Sequence, residues 1–119
     1  MKRDMDLVRK ILRQAADKHD NELTEISVDG YDNDLITLHC QILLDAGFLK
    51  GTQIQAANEN VPVIWIERLT WAGQDFLDAV KNDSIWQKVK DRLAKIGGEA
   101  SLEVTKAVAI QVAKETLGL

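Results

Sequence analysis

Apolar positions recur along this chain at two spacings, and the switches between them mark out its elements. From Arg3 to about His19, Met5, Leu7, Val8, Ile11, Leu12 and Ala15 fall on one broad arc. Lys2, Arg3, Asp6, Arg9, Lys10 and Arg13 take the other side, as in a surface helix with one buried face. Asp20 to Asp32 is polar and interrupted by Gly30, and only the alternation Ile26-Ser27-Val28 allows a short strand. A second helix is predicted from about Asn33 to Ala46, where Leu35, Leu38, Ile42 and Ala46 return to helical spacing. Asp32, Asn33 or Asp34 can accept its first amide hydrogens, and Gly47 supplies a left-handed stop.

Period two then returns. Ile54 and Ala56 lead into the polar turn Ala57-Asn58-Glu59-Asn60, after which Val61, Val63 and Trp65 alternate with Pro62, Ile64 and Ile66. A two-stranded hairpin follows from this pattern, with Pro62 favouring a sheet edge because it cannot donate to a ladder. Thr70 is expected to cap a third helix with Ala72, Phe76, Leu77 and Val80 inward. Asp83 or Ser84 should cap a fourth, with Ile85, Val89, Leu93 and Ile96 inside and Gly97-Gly98 at its end. Ser101 to about Leu117 reads as a fifth helix.

That order of elements predicts an α+β, mainly helical fold: a winged-helix-like domain over residues 1–98 with a two-stranded hairpin wing, and a C-terminal helix over 99–119 packed on it or on a partner subunit. The last helix has two apolar stripes. Val104, Val108 and Val112 line one side, and Ile110, Ala113 and Leu117 lie nearly opposite. Both stripes must be buried, so Ile110, Ala113 and Leu117 are the expected contacts of a homodimer.

Composition narrows the setting. The chain has 119 residues, 45% of them hydrophobic, and a net charge of −4, which suits a single domain with a sizeable core. Cys40 is the only cysteine and can close no internal disulfide, as expected in a reducing cytoplasm. No apolar run reaches the ~18 residues of a membrane span, and Met1-Lys2-Arg3 is not followed by a signal-peptide core, so a cytoplasmic protein without a membrane partner is expected.

Charge distribution changes the picture more. Between Asp20 and Gly47 stand Asp20, Glu22, Glu25, Asp29, Asp32, Asp34 and Asp45, with no Lys or Arg, in the stretch where a winged helix keeps its DNA-reading helix. Phosphate neutralisation supplies most non-specific DNA affinity, and Arg or Lys makes the commonest guanine contact. DNA is therefore disfavoured as a partner. Another protein with a basic surface is expected instead, met by Asp29, Asp32, Asp34, Gln41 and Asp45. In the alternative, a DNA-binding transcriptional regulator, backbone contacts would have to come from Lys2, Arg9 and Arg13 of the first helix.

Candidate chemistry is sparse. His39 and Cys40 are neighbours on a helix, point ~100° apart, and so make no base and nucleophile pair. A buried cysteine beside a partly exposed histidine is the expected arrangement. His19, His39 and Cys40 lack metal-ligand spacing, and no glycine-rich loop is built to cradle phosphate. The loop carboxylates suit helix capping. No enzyme, metal or cofactor is expected. Trp65, Trp71 and Trp86 read as core and junction residues, with Trp71 the most exposed.

The segment Leu38 to Leu49 resembles the third helix and first wing strand of many bacterial winged-helix regulators. The opening Met1 to Leu12, the central Leu44-Asp45-Ala46-Gly47-Phe48, and the run Arg68 to Ala79 followed by Ile85-Trp86 resemble an uncharacterised, prophage-associated bacterial family, domain of unknown function 2513. This resemblance covers nearly the full length. It implies a winged-helix-like fold and a phage or prophage context, and it brings no catalytic residue. The expected function is a non-enzymatic regulatory or protein-interaction module.

Overall fold

A computed structural model describes residues 2–97 and 101–118. In chain order it contains α1 (Met5–Ala16), α2 (Asn33–Asp45), β1 (Leu49–Ile54), β2 (Val63–Leu69), α3 (Trp71–Val80), α4 (Asp83–Ile96) and α5 (Leu102–Leu117). This is the predicted α+β, mainly helical class, with one antiparallel hairpin among the described residues. No helix among the described residues is long and apolar enough to cross a membrane.

The helix ends follow local chemistry. Asp4 starts α1 by accepting from the Leu7 amide at 3.1 Å, and Asp32 starts α2 by accepting from that of Asp34 at 2.9 Å. Gly47, at φ +76°, ends α2 while the Phe48 amide donates back to the Leu43 carbonyl at 2.9 Å. For α4 the cap is Asn82, accepting from the Ile85 amide at 3.0 Å, and not Asp83 or Ser84, which lie inside the first turn.

Chain contacts divide the protein into two compact units, Asp4–Gln74 and Asp75–Leu119, the second joined by Met1–Arg3. The division falls within α3. The boundary expected at 98/99 lies outside the described residues, as does Gly98; α4 and α5 pack on each other in the same unit.

In the first unit, Leu7, Val8, Ile11 and Leu12 of α1 are buried, as are Ile36, Cys40 and Leu43 of α2 and Leu49, Ile64 and Ile66 of the hairpin. The strands pair from Leu49 opposite Leu69 to Ile54 opposite Val63, with one irregularity at Lys50/Gly51. A Cβ at Gly51 would lie 2.4 Å from the Trp65 carbonyl oxygen, so only glycine fits beside this bulge. No strand forms at Ile26-Ser27-Val28. A single bridge forms earlier, where Thr24 and Ile66 exchange backbone hydrogen bonds of 2.9 and 2.8 Å. At Ile66, β2 is thus flanked on both sides, whereas toward its start, where the buried Pro62 stands just ahead of the strand, it keeps an open edge.

The turn into α3 is tied to the end of α2. The Thr70 hydroxyl donates to the Gly47 carbonyl at 2.5 Å and accepts from the Gly73 amide at 3.1 Å, and the Thr70 amide donates to the Phe48 carbonyl at 3.0 Å. Gly73 sits under this link, where a Cβ would come 2.1 Å from the Phe48 oxygen. Gly73 is therefore buried and Ala72, predicted to face inward, is exposed.

In the second unit the buried residues are Phe76, Leu77 and Val80 of α3, Trp86 and Val89 of α4, and Leu102, Thr105, Ala109 and Val112 of α5. The inner face of α4 is thus centred on Trp86 and Val89. Ile85 and Leu93 are half-buried, and Ile96, expected inside, is exposed. On α5 the packed face runs 102, 105, 109 and 112, so Val104 points outward, not inward with Val112. Thr105 satisfies its buried hydroxyl on the Ser101 carbonyl at 2.9 Å. An Arg92–Glu115 ion pair joins the two helices at the surface, and its hydrogen bond holds the Glu115 carboxyl below its ordinary range.

Candidate partner-binding groove

Three pieces of the first unit enclose a polar, acidic hollow. The first is the N-terminal half of α2, started by Asp32. The second is the extended segment 24–28, held by the Thr24–Ile66 bridge, by Gln14 Nε2 donating to the Ser27 carbonyl at 2.7 Å, and by Lys18 Nζ donating to Thr24 Oγ1 at 2.9 Å. The third is the wing turn between β1 and β2, where the Glu59 amide donates to the Ala56 carbonyl at 3.1 Å and its carbonyl accepts from Gln55 Nε2 at 2.8 Å.

Two adjoining grooves result. One, of about 370 Å³, is lined by Glu25, Ile26, Ser27, Asn33, Ile36, Thr37, Cys40 and Ile64. The other, of about 380 Å³, shares Glu25 and Thr37 and continues past Asp34 to the wing turn at Asn58, Glu59 and Asn60. Ile36, Cys40 and Ile64 make an apolar floor, at 2%, 3% and 5% exposure. Glu25, Asp34 and Glu59 are exposed and carry all the charge of the lining; no Lys or Arg contributes.

The residues on the floor and behind it are chemically quiet. Burial pushes the Cys40 thiol up to about 12, so it stays protonated and is neither nucleophile nor thiolate ligand at neutral pH. His39 is fully buried, contrary to the partly exposed position expected for it. Its Nε2 accepts from the Asp4 amide at 2.8 Å, joining α2 to the start of α1, and its Nδ1 lies 2.9 Å from the Leu35 carbonyl within α2, so both nitrogens are engaged. Among the described residues no group of three His, Cys, Asp or Glu side chains could hold a metal ion.

Of the five residues expected to meet a partner, Asp34 lines the groove. Asp32 caps α2, Asp29 lies in the exposed turn at Gly30, and Gln41 and Asp45 follow Asp34 along α2 without lining it. Glu25, from the acidic stretch, and Glu59, from the turn between the strands, join Asp34 although the sequence pattern gives neither a partner role. Their convergence depends on the Thr24 bridge and on the wing turn folding toward α2, and neither has a local sequence signal. The basic face expected on α1 is not continuous. Lys2 and Arg13 are exposed, but Arg9 is 9% exposed and counts among the buried residues. Lys10 sits 5.2 Å above the Tyr31 ring. On α5, Ile110 and Leu117 are exposed and Ala113 is half-buried.

A protein of Haemophilus influenzae described only as uncharacterized is similar over 119 residues at 28% identity, covering 98% of this chain and 99% of its own length. The family described as "Hypothetical protein (DUF2513)" matches residues 2–99. No solved structure matches the chain.

Proposed function

We propose that this chain, which belongs to the DUF2513 family, is a non-enzymatic binding module whose acidic groove takes a basic surface of another protein. The observation that carries this reading is the one-signed lining of the two grooves: Glu25, Asp34 and Glu59 converge around an apolar floor with no cation among them. Electrostatic attraction of that kind selects partners and speeds encounter, while the apolar floor contributes affinity once water is displaced. In this reading the protein works in the cytoplasm as a regulator of the prophage type, on a winged-helix-like scaffold whose usual DNA-reading helix has turned to protein contact. The DNA-binding alternative draws little support from α1, since Arg9 is buried and Lys10 is held over Tyr31.

Tagged full-length protein purified from its host at two salt concentrations, with nuclease treatment, tests the proposal. The expected result is a basic protein partner that survives nuclease and is lost from a Glu25→Lys, Asp34→Lys, Glu59→Lys variant. Retention of the same partner by that variant, or recovery of nucleic acid alone, contradicts it.

A further inference from the structure

The strand β2 has a second edge that is only partly used. Thr24 exchanges both backbone hydrogen bonds with Ile66, so the N–H and C=O of Ile66 point away from β1. From Val63 to Ile66 the register against β1 is unbroken, and backbone groups two residues apart on a strand point the same way. The N–H and C=O of Ile64 therefore also point away from β1, toward segment 25–27. No second rung forms there: among the described residues neither group of Ile64 has a partner on that side, and Ile26 makes no backbone hydrogen bond to it. Ile64 is 5% exposed and lies in the wall of the first groove, opposite Ile26 and Ser27. Buried backbone donors and acceptors in folded proteins are almost always paired.

We infer that this open rung seats an extended segment of the partner, which adds a short strand beside β2. One residue of that segment exchanges N–H and C=O with Ile64. Its side chain then falls on the same face as that of Ile64, over Ile36 and Cys40, and is apolar. Its neighbours carry Lys or Arg, which meet Glu25, Asp34 and Glu59 around the two grooves. The recognised pattern is basic, apolar, basic, in extended form. A second copy of this chain is not the occupant, since it would have to present a basic segment in extended form. Its own segment of the right pattern, Lys88-Val89-Lys90, is wound into α4. The inference rests on the acidic-groove reading and adds to it the main-chain pairing, which charge attraction alone does not require.

The test uses the full chain and a labelled synthetic peptide of alternating Lys and Val, seven residues in nominal length. Its companion carries N-methyl groups on every Val, which keep the charge and remove the N–H donors. The parent peptide is expected to bind and to slow hydrogen exchange at the Ile64 amide, and N-methylation should weaken binding by at least ~10-fold, as for a lost backbone hydrogen bond at a desolvated site. Thr37→Lys, which places a cation in both grooves on a half-buried helical position, should weaken the parent peptide while leaving the circular dichroism of the protein unchanged. Equal binding of the two peptides with Ile64 exchange unchanged overturns the strand pairing and leaves the acidic-groove reading standing. Undiminished binding of the parent peptide to the Glu25→Lys, Asp34→Lys, Glu59→Lys variant overturns both, and failure of the parent peptide to bind at millimolar concentration overturns the strand pairing.

Discussion

His39 Nε2 accepts a hydrogen bond from the backbone amide of Asp4 across 35 positions of sequence, at 2.8 Å. Since Nε2 is the acceptor, Nδ1 carries the proton and donates to the Leu35 carbonyl at 2.9 Å. One imidazole thus fixes the first turn of α1 against α2. Replacing His39 by Phe keeps most of the volume and strands the Asp4 amide, so a loss of ~1–3 kcal/mol is expected in urea unfolding. Nitrogen-15 NMR should place the proton on Nδ1. An unchanged unfolding midpoint, or a proton on Nε2, would refute this role.

A second prediction concerns glycine. In an ordinary exposed helix Gly→Ala stabilises by up to ~1 kcal/mol. At Gly73 the added Cβ would meet the Phe48 carbonyl oxygen at 2.1 Å, a backbone atom that cannot swing aside. Gly73→Ala should therefore reverse the usual sign and destabilise by ~2 kcal/mol or more, in the range of overpacking strain. A gain in denaturant midpoint would show that α3 does not approach Phe48 as described.

Cys40 gives the pH dependence. Its thiol is pushed by burial from 9.0 to about 12, so the folded protein holds a proton that the unfolded chain releases. The sign follows from linkage: the contribution is intact below pH 9.0, falls as pH rises above it, and is lost by about 12. Alkaline unfolding should therefore begin earlier for the native protein than for Cys40→Ala once both curves are normalised to their stability at pH 7. At pH 8 the native thiol should react with a disulfide reagent far more slowly than in denaturant. Equal rates would place Cys40 at the surface.

Legibility in the sequence followed the range of the forces involved. Helix extents, the caps at Asp32 and Thr70, and the stop at Gly47 are set within a turn of chain, but the buried face of α2 runs through Ile36, His39, Cys40 and Leu43 and not through Leu35, Leu38, Ile42 and Ala46. The cap of α4 slipped by one or two residues because Asn82, Asp83 and Ser84 are all competent caps and only the packed helix selects among them. Arg9 deceived through its charge, since a long stem lets a cationic residue lie along the edge of an apolar face. The groove was half legible. Asp34 and the acidic bias of the second helix are visible in one dimension, but Glu25 and Glu59 meet it only through the Thr24–Ile66 bridge and the wing turn, contacts between residues far apart in sequence.

The outward side of α5 yields a prediction about assembly. Ile110 and Leu117 are 40% and 68% exposed and Ala113 is half-buried, so the second apolar stripe is largely uncovered. We propose that a second copy covers it. Light scattering at micromolar concentration should report twice the 13.3 kDa chain mass, and Ile110→Lys with Leu117→Lys should return it to that of one chain. A clean monomer before mutation contradicts the dimer, and a dimer that survives both substitutions contradicts this surface.

Whether the acidic groove selects a basic protein segment over nucleic acid is decided by one competition. The full chain is titrated at physiological salt against the alternating Lys and Val peptide and against a random-sequence DNA duplex, both labelled. Saturable peptide binding that weakens with added salt is expected, with duplex binding no tighter than ~10⁻⁴ M. Submicromolar affinity for the duplex, with none for the peptide, would contradict that selection.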